Sequence, residues 1–307
     1  MILACPESPQ SWHKRPVTWC LVAANVFIFM LFFSGLPDSS ASQLLRDENL
    51  RVAGEIYLRY EKNLPPAQRL RQPAWLDEMK SGDSRQMEML GSMAVRDRRF
   101  LDFVENSPPL GDEIAFASLR EKIHQFRDNL SSQPLHRFGL NSERTKSFAW
   151  VTYQFSHIGW MHLISNMAFL LFLGWVIEGI WGGGVLLLLY LTGGFAGGLL
   201  FLSLSPAGII PMVGASGSVS ALISFYSLAE TRRRVRYYFM LLPWQNLHGF
   251  VYLPTLLIWP LYLVSDFAGL IAAPEGFITG VAYSAHVGGA LLGATLALNF
   301  RLFRQPT

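Results

Sequence analysis

Apolar positions in this chain gather into long uninterrupted runs instead of alternating with polar ones. The first covers residues 17–36 and follows Lys14 and Arg15. A helix needs about 20 consecutive apolar residues to cross a bilayer core, and this run reaches that length. Further runs at 157–180, 185–204, 216–229, 250–271 and 281–300 predict five more helices, making six spans. The fourth is short for a full crossing. A helix that starts part-way into the membrane, reached by residues 205–214 dipping in from one side, fits that length. Irregular backbone at such depth has to line an enclosed or watery cavity.

Composition agrees with the pattern. Of 307 residues, 51% are hydrophobic and only 15% charged, well below the roughly 25% charged residues of soluble domains. The net charge of +3 is too small to imply nucleic-acid binding. Two cysteines, Cys5 and Cys20, supply neither a disulfide framework nor a Cys-rich metal site. Ser39-Ser40-Ala41-Ser42 resembles a leader-cleavage site. The apolar run before it exceeds the roughly 7–15 residues of a leader's core, so it is expected to stay as a helix.

Six helices counted from a cytoplasmic N-terminus put Arg232, Arg233, Arg234 and Arg236 inside after the fourth span, and Arg301 and Arg304 inside after the sixth. This obeys the excess of basic residues in cytoplasmic loops. The expected organisation is a cytoplasmic tail at 1–16, a first helix at 17–36, a long external domain at 37–147, helices 2–6 within 148–300 and a cytoplasmic tail at 301–307. The external segment is charged. Phe116, Leu119, Ile123, Phe126 and Leu130 alternate steps of three and four, which puts one apolar stripe on a helix, and Pro108-Pro109 and Gly111 punctuate its start. That stripe is expected to pack within a small helical domain or on the membrane surface.

Polar groups at membrane depth are costly and are functional candidates by default. The chain has few: His157, His162, Asn166, Glu178, Ser216, Ser220, Asp266 and His286. Gly214-Ala215-Ser216-Gly217 opens the short fourth helix, so Ser216 sits among unpaired N–H groups that favour negative charge. By itself the motif also describes an ordinary helix start or packing contact. A serine needs a base to take its proton, and His286 is the histidine of the last two spans. Ala285, Gly289 and Gly293 recur every fourth residue beside it, a spacing that lets helices approach closely. His162 and Asn166, four apart on one helix face, can both donate hydrogen bonds to an oxyanion; helix–helix hydrogen bonding is the plainer reading of the pair taken alone. Other proteolytic chemistries fit less well. His157 and His162 are five apart with no carboxylate between them, unlike a His-Glu-x-x-His zinc helix. Asp266 and Glu178, the acids of the membrane region, are expected near opposite faces, unlike an aspartyl pair sharing a proton.

Together these motifs resemble the rhomboid family of intramembrane serine proteases. The resemblance runs through Thr152-Tyr153-Gln154-Phe155-Ser156-His157, Trp160-Met161-His162-Leu163-Ile164-Ser165-Asn166-Met167, Glu178, Gly214-Ala215-Ser216-Gly217 and Ala285-His286-Val287-Gly288-Gly289. It implies an all-α polytopic membrane protein, a bacterial-type six-transmembrane-helix bundle with a largely helical insertion between helices 1 and 2, residing in the inner membrane. It also implies a Ser216–His286 dyad without a third acidic member, and an oxyanion hole from the Ser216 N–H, His162 and Asn166. Supporting positions would be Gly214, Gly217, Gly289, Glu178 and His157. The expected partners are single-pass transmembrane substrates and the lipid bilayer, cut near the outer face, with no cofactor, metal or nucleic acid. A client-binding pseudoprotease is the main rival, but such relatives typically lack the serine or histidine; a transporter would show paired broken helices in two halves. Three departures stand out: Ser220 replaces an aromatic residue expected four positions after the nucleophile, leaving Tyr283 or a water to orient His286; Phe148-Ala149 replaces a Trp-Arg pair; and the first outer loop is long.

Overall fold

A computed structural model describes residues 2–5, 14–35, 47–65, 83–95, 97–131, 133–141, 147–204, 211–231, 234–242, 247–272 and 281–303. In chain order the helices are α1 (Pro16–Phe32), α2 (Asp47–Asn63), α3 (Ser84–Ala94), α4 (Arg98–Asn106), α5 (Glu113–Ser131), α6 (Pro134–Phe138), α7 (Ala149–Thr152), α8 (Trp160–Trp181), α9 (Gly183–Leu204), α10 (Ser216–Ala229), α11 (Ile258–Ala272) and α12 (Tyr283–Phe303). Three strands, β1 (Ile2–Cys5), β2 (Arg234–Leu242) and β3 (Leu247–Pro254), form an antiparallel sheet in that order.

Two of these helices, α8 and α9, are long and apolar enough by themselves to cross a membrane; α1, α10 and the Tyr262–Ile271 part of α11 are apolar but shorter. Their outward faces carry large apolar side chains such as Phe27, Met161, Leu188 and Val264, all exposed. Exposed apolar surface of this extent belongs to a protein whose solvent is lipid.

α1 is pinned to the end of α8 by one buried carboxylate. Glu178 accepts from the backbone N–H groups of Val17 (3.0 Å) and Thr18 (2.7 Å) and from the Thr18 hydroxyl (2.6 Å). The first N–H groups of a helix have no partner inside it, and a negative charge there also opposes the positive end of the helix dipole. Arg15 adds a hydrogen bond to the Trp175 carbonyl and a cation–π contact with its ring. At the opposite end of the pair, Phe29 of α1 packs edge-on against Trp160 at the start of α8. The two helices therefore run antiparallel, and the first turns of α8 lie far from the N-terminus.

Small residues set the closest approaches among α9, α10 and α12. A Cβ on Gly289 would sit 1.9 Å from the Gly217 carbonyl oxygen, and one on Gly293 would sit 2.2 Å from that of Ala221. A Cβ on Gly197 would meet the Ala285 carbonyl at 2.7 Å and the Gly217 Cα at 3.4 Å. The backbones of all three helices thus converge beside Ser216 and His286.

Helices α2 to α5 build a second, separate core from Leu50, Tyr57, Met87, Leu90, Phe100, Phe116 and their neighbours. Phe116, Leu119 and Ile123 of the expected stripe are buried here; the side chains of Phe126 and Leu130 lie outside the described residues. Asp83, Asp97 and Asp112 cap α3, α4 and α5 through their side chains, satisfying N–H groups that the helices leave open. The Tyr57 hydroxyl donates to Asp97 (3.1 Å), and Arg99 pairs with Asp97 and Glu61.

The helix boundaries match the apolar runs closely for the fourth span and within a few residues for four others. The fifth differs: instead of a helix over 250–271, residues 247–254 form β3 and the helix begins at Ile258. Pro254 explains the break, because it has no N–H to donate and pushes the preceding residue into extended backbone. Pro260 falls in the first turn of α11, where a missing N–H costs nothing. The sheet adds to the expected all-helical fold. Its middle strand, Arg-Val-Arg-Tyr-Tyr-Phe-Met-Leu-Leu, is rich in residues that suit a pleated surface. It pairs with the N-terminal strand through Leu3 opposite Tyr238, so the N-terminus and the α10–α11 connection share one side. Arg232 and Arg233 of the basic cluster lie outside the described residues.

Candidate active site

Gly214 has φ of +126°, a conformation in which a side chain is strained. Its N–H donates to the Tyr153 carbonyl (2.9 Å), which fixes the turn against the segment before α8. Just upstream, Leu140 and Met212 exchange two backbone hydrogen bonds (2.9 and 2.8 Å). The turn is thus held from both sides before it enters α10. Ser216 is the first residue of that helix, so its own N–H is among those with no intrahelical partner.

His162 packs into the space that the Gly214 side chain would fill: a Cβ there would lie 2.8 Å from His162 Nε2 and Cε1 and 3.8 Å from Ser216 Oγ. The Ile158 N–H donates to His162 Nδ1 (3.4 Å). An accepting Nδ1 puts the proton on Nε2, the nitrogen that faces the turn. Asn166, one turn further along α8, is buried, and its amide donates to the His162 carbonyl (2.9 Å). His157 is fully buried with its ring edge-on to that of His162, and neither of its ring nitrogens has a hydrogen-bond partner among the described residues.

His286 reaches the same region from α12. The Ala285 carbonyl lies against Gly217, the residue after Ser216. The structure therefore brings Ser216, His162 and His286 together, with Asn166 beside His162. Glu178 lies elsewhere, at the α1–α8 junction. Gly217 and Gly289 are where the helix backbones touch.

Two α11 residues meet the site: Asp266, one of the polar candidates at membrane depth, and Tyr262, for which the sequence suggests no role. Asp266 Oδ1 lies 2.9 Å from His286 Nδ1. Tyr262, one turn earlier, lies roughly parallel to the imidazole, with ring centroids 6.2 Å apart and an interplanar angle of 27°. The Tyr262 hydroxyl also lies 3.2 Å from that of Ser220, which donates to the Ser216 carbonyl (2.7 Å). The spacing of Tyr262 and Asp266, four apart on an apolar helix, was the available signal. Among the described residues no group of three or more His, Cys, Asp or Glu side chains is placed to hold a metal ion.

A hydroxyl and imidazoles gathered at the start of a short helix, inside a bundle with an apolar exterior, define a polytopic membrane protein with a buried polar site. The Rhomboid domain family matches residues 144–303, just over half of the chain. The chain belongs to the rhomboid family, a family of intramembrane proteases, and is an integral membrane protein. No curated protein matches the sequence.

Proposed function

We propose that this protein is an intramembrane serine endopeptidase in which Ser216 is the nucleophile and His286 the general base. The observation that carries the reading is the Gly214 turn, which presents Ser216 at a helix N-terminus with the Nε2–H of His162 packed against the same glycine. Ser216 Oγ attacks the scissile carbonyl carbon while His286 Nε2 takes its proton. The resulting oxyanion accepts from the Ser216 N–H and His162 Nε2–H, with the second amide hydrogen of Asn166 as a further donor. Preorganised donors of this kind act where charge develops in the transition state. Collapse expels the amine with the proton from His286, and water then releases the acyl enzyme by the same steps in reverse order.

The substrates are single-pass transmembrane proteins cut within or near the outer face of the bilayer. Helices α1 and α8 to α12 would make six crossings, with both termini cytoplasmic in a bacterial inner membrane. Glu178 ties the start of α1 to the end of α8, and the β1–β2 pairing keeps the N-terminus beside the basic α10–α11 connection; both support this topology. Helices α2 to α5 would then form an external domain within 37–147, followed by the catalytic core at 148–300. The test is cleavage of a single-pass reporter in proteoliposomes, with labelling by a fluorophosphonate probe. Wild type should cleave and label, and Ser216→Ala should do neither. Undiminished cleavage by Ser216→Ala would refute the reading.

A further inference from the structure

We infer that Asp266 of α11, with Tyr262 one turn before it, is a positioning residue that holds His286 for catalysis, so that the site works as a Ser216–His286–Asp266 relay of contacts and not as an unsupported pair. The inference rests on the proposed serine mechanism and deepens it. A charged carboxylate at membrane depth is expensive to keep unless a specific partner compensates it. Asp266 is only 5% exposed. Among the described residues, the hydrogen-bond partner of its carboxylate is His286 Nδ1 through Oδ1, while Oδ2 is buried with none.

The position at which a supporting aromatic was expected holds Ser220, and α11 supplies the missing ring. The Tyr262 ring lies roughly parallel to the imidazole with centroids 6.2 Å apart, within the 4.5–7 Å range of aromatic pairs. Its hydroxyl meets Ser220, whose own hydroxyl reaches the Ser216 carbonyl, so the ring is tied to the helix that carries the nucleophile. Tyr283 meets the imidazole edge-on, and its ring occupies the place where a Gly269 side chain would stand. Tyr262, Asp266 and Gly269 share one face of α11, and that face encloses His286.

The chemical consequence follows from the atom engaged. A carboxylate accepting from Nδ1–H fixes the tautomer in which Nε2 carries the lone pair, and it stabilises the imidazolium formed when Nε2 takes the serine proton. No proton passes to Asp266. A carboxylate used merely to join two helices would give stability but would leave turnover per folded molecule unchanged.

The experiment compares wild type, Ser216→Ala, Asp266→Asn and Asp266→Glu in proteoliposomes, reading kcat and KM on the reporter together with the rate and endpoint of fluorophosphonate labelling. The endpoint counts folded enzyme; the rate reports activation of Ser216. For Asp266→Asn, kcat and labelling rate should fall by between about 10-fold and about 10⁴-fold, the larger figure being the loss when the carboxylate of a soluble triad is amidated. KM and the labelling endpoint should stay as in wild type. Asp266→Glu, which keeps the charge, should recover part of the rate. If Asp266→Asn turns over like wild type, or if Asn and Glu lose the same fraction of endpoint and rate, the carboxylate is a helix staple and the inference is wrong. If wild type is inactive or Ser216→Ala still cleaves, the serine mechanism fails and the inference fails with it; only the former pair of outcomes removes the Asp266 role alone.

Discussion

The two cores of this protein differ most in what surrounds them. Between α2 and α5 the interior is large and mostly apolar, with Phe100, Phe116, Met87 and Leu90 filling it, and exposed Asp83 and buried Asp97 cap two of its helices. Among α8 to α12 the outward faces are apolar as well, and beside an apolar interior that includes Leu170, Leu222 and Phe225 the helices touch at glycines and polar side chains meet. Water drives apolar groups inward in the first case. Lipid offers no such drive, so close backbone packing and buried hydrogen bonds hold the second together. A chemical site is easier to build in the second kind of interior, because its polar residues already have to find one another.

Removing a reacting group should break this contrast most severely. Ser216→Ala should lower kcat about 10⁶-fold, as loss of the nucleophile does in a soluble serine protease, while leaving thermal unfolding unchanged. His286→Ala should lower kcat as far and should also lower the melting temperature, because it leaves the buried Asp266 carboxylate without its partner. Reporter cleavage and melting curves together check this. His162→Ala should cost on the order of 2.7–4 kcal/mol in transition-state stabilisation, roughly 10²–10³ in kcat, and an unchanged rate would remove His162 from the oxyanion site.

Packing substitutions sharpen the comparison through opposite changes in side-chain size. Phe100→Ala should cost about 3–5 kcal/mol through the cavity it leaves; it should expose the α2–α5 segment to limited proteolysis with turnover by the surviving core retained. Gly289→Val enlarges a residue instead and should cost about 1–3 kcal/mol by overpacking. Its Cβ would strike the Gly217 carbonyl beside the nucleophile, so activity should fall along with melting temperature.

A smaller effect separates the regions by pH. Burial, with the Asp97 and Glu61 carboxylates beside it, holds the Tyr57 phenol well above its ordinary value of 10.0. The folded domain keeps that proton more tightly than the unfolded chain does. Its contribution to stability is therefore complete below pH 10.0 and is lost progressively as pH rises above it. Proteolytic susceptibility of α2–α5 across that range should rise on the alkaline side, and Tyr57→Phe should flatten the rise.

Much of this was legible in the chain. The apolar run at 216–229 coincides with α10, because a helix entering lipid-like surroundings must satisfy its own backbone and is marked by continuous apolarity. His162, Asn166, Ser216 and His286 could be singled out because polar residues in such runs are few. The β3 segment misled the reading at 250–257, where hydropathy is helix-like and the deciding signals are Pro254 and the aromatic and β-branched residues before it.

Asp266 marks the limit. The sequence determined that it was a carboxylate at membrane depth, and the family pattern suggested no partner for it. Whether it met Glu178, water or a histidine depended on how α11 is rotated against α12, which Gly269 and Tyr283 set by their contact. Helix rotation is fixed by the sum of many small packing contacts between segments distant in the chain, so no local pattern encodes it. Only the tertiary structure placed the carboxylate on His286 and the Tyr262 hydroxyl against that of Ser220.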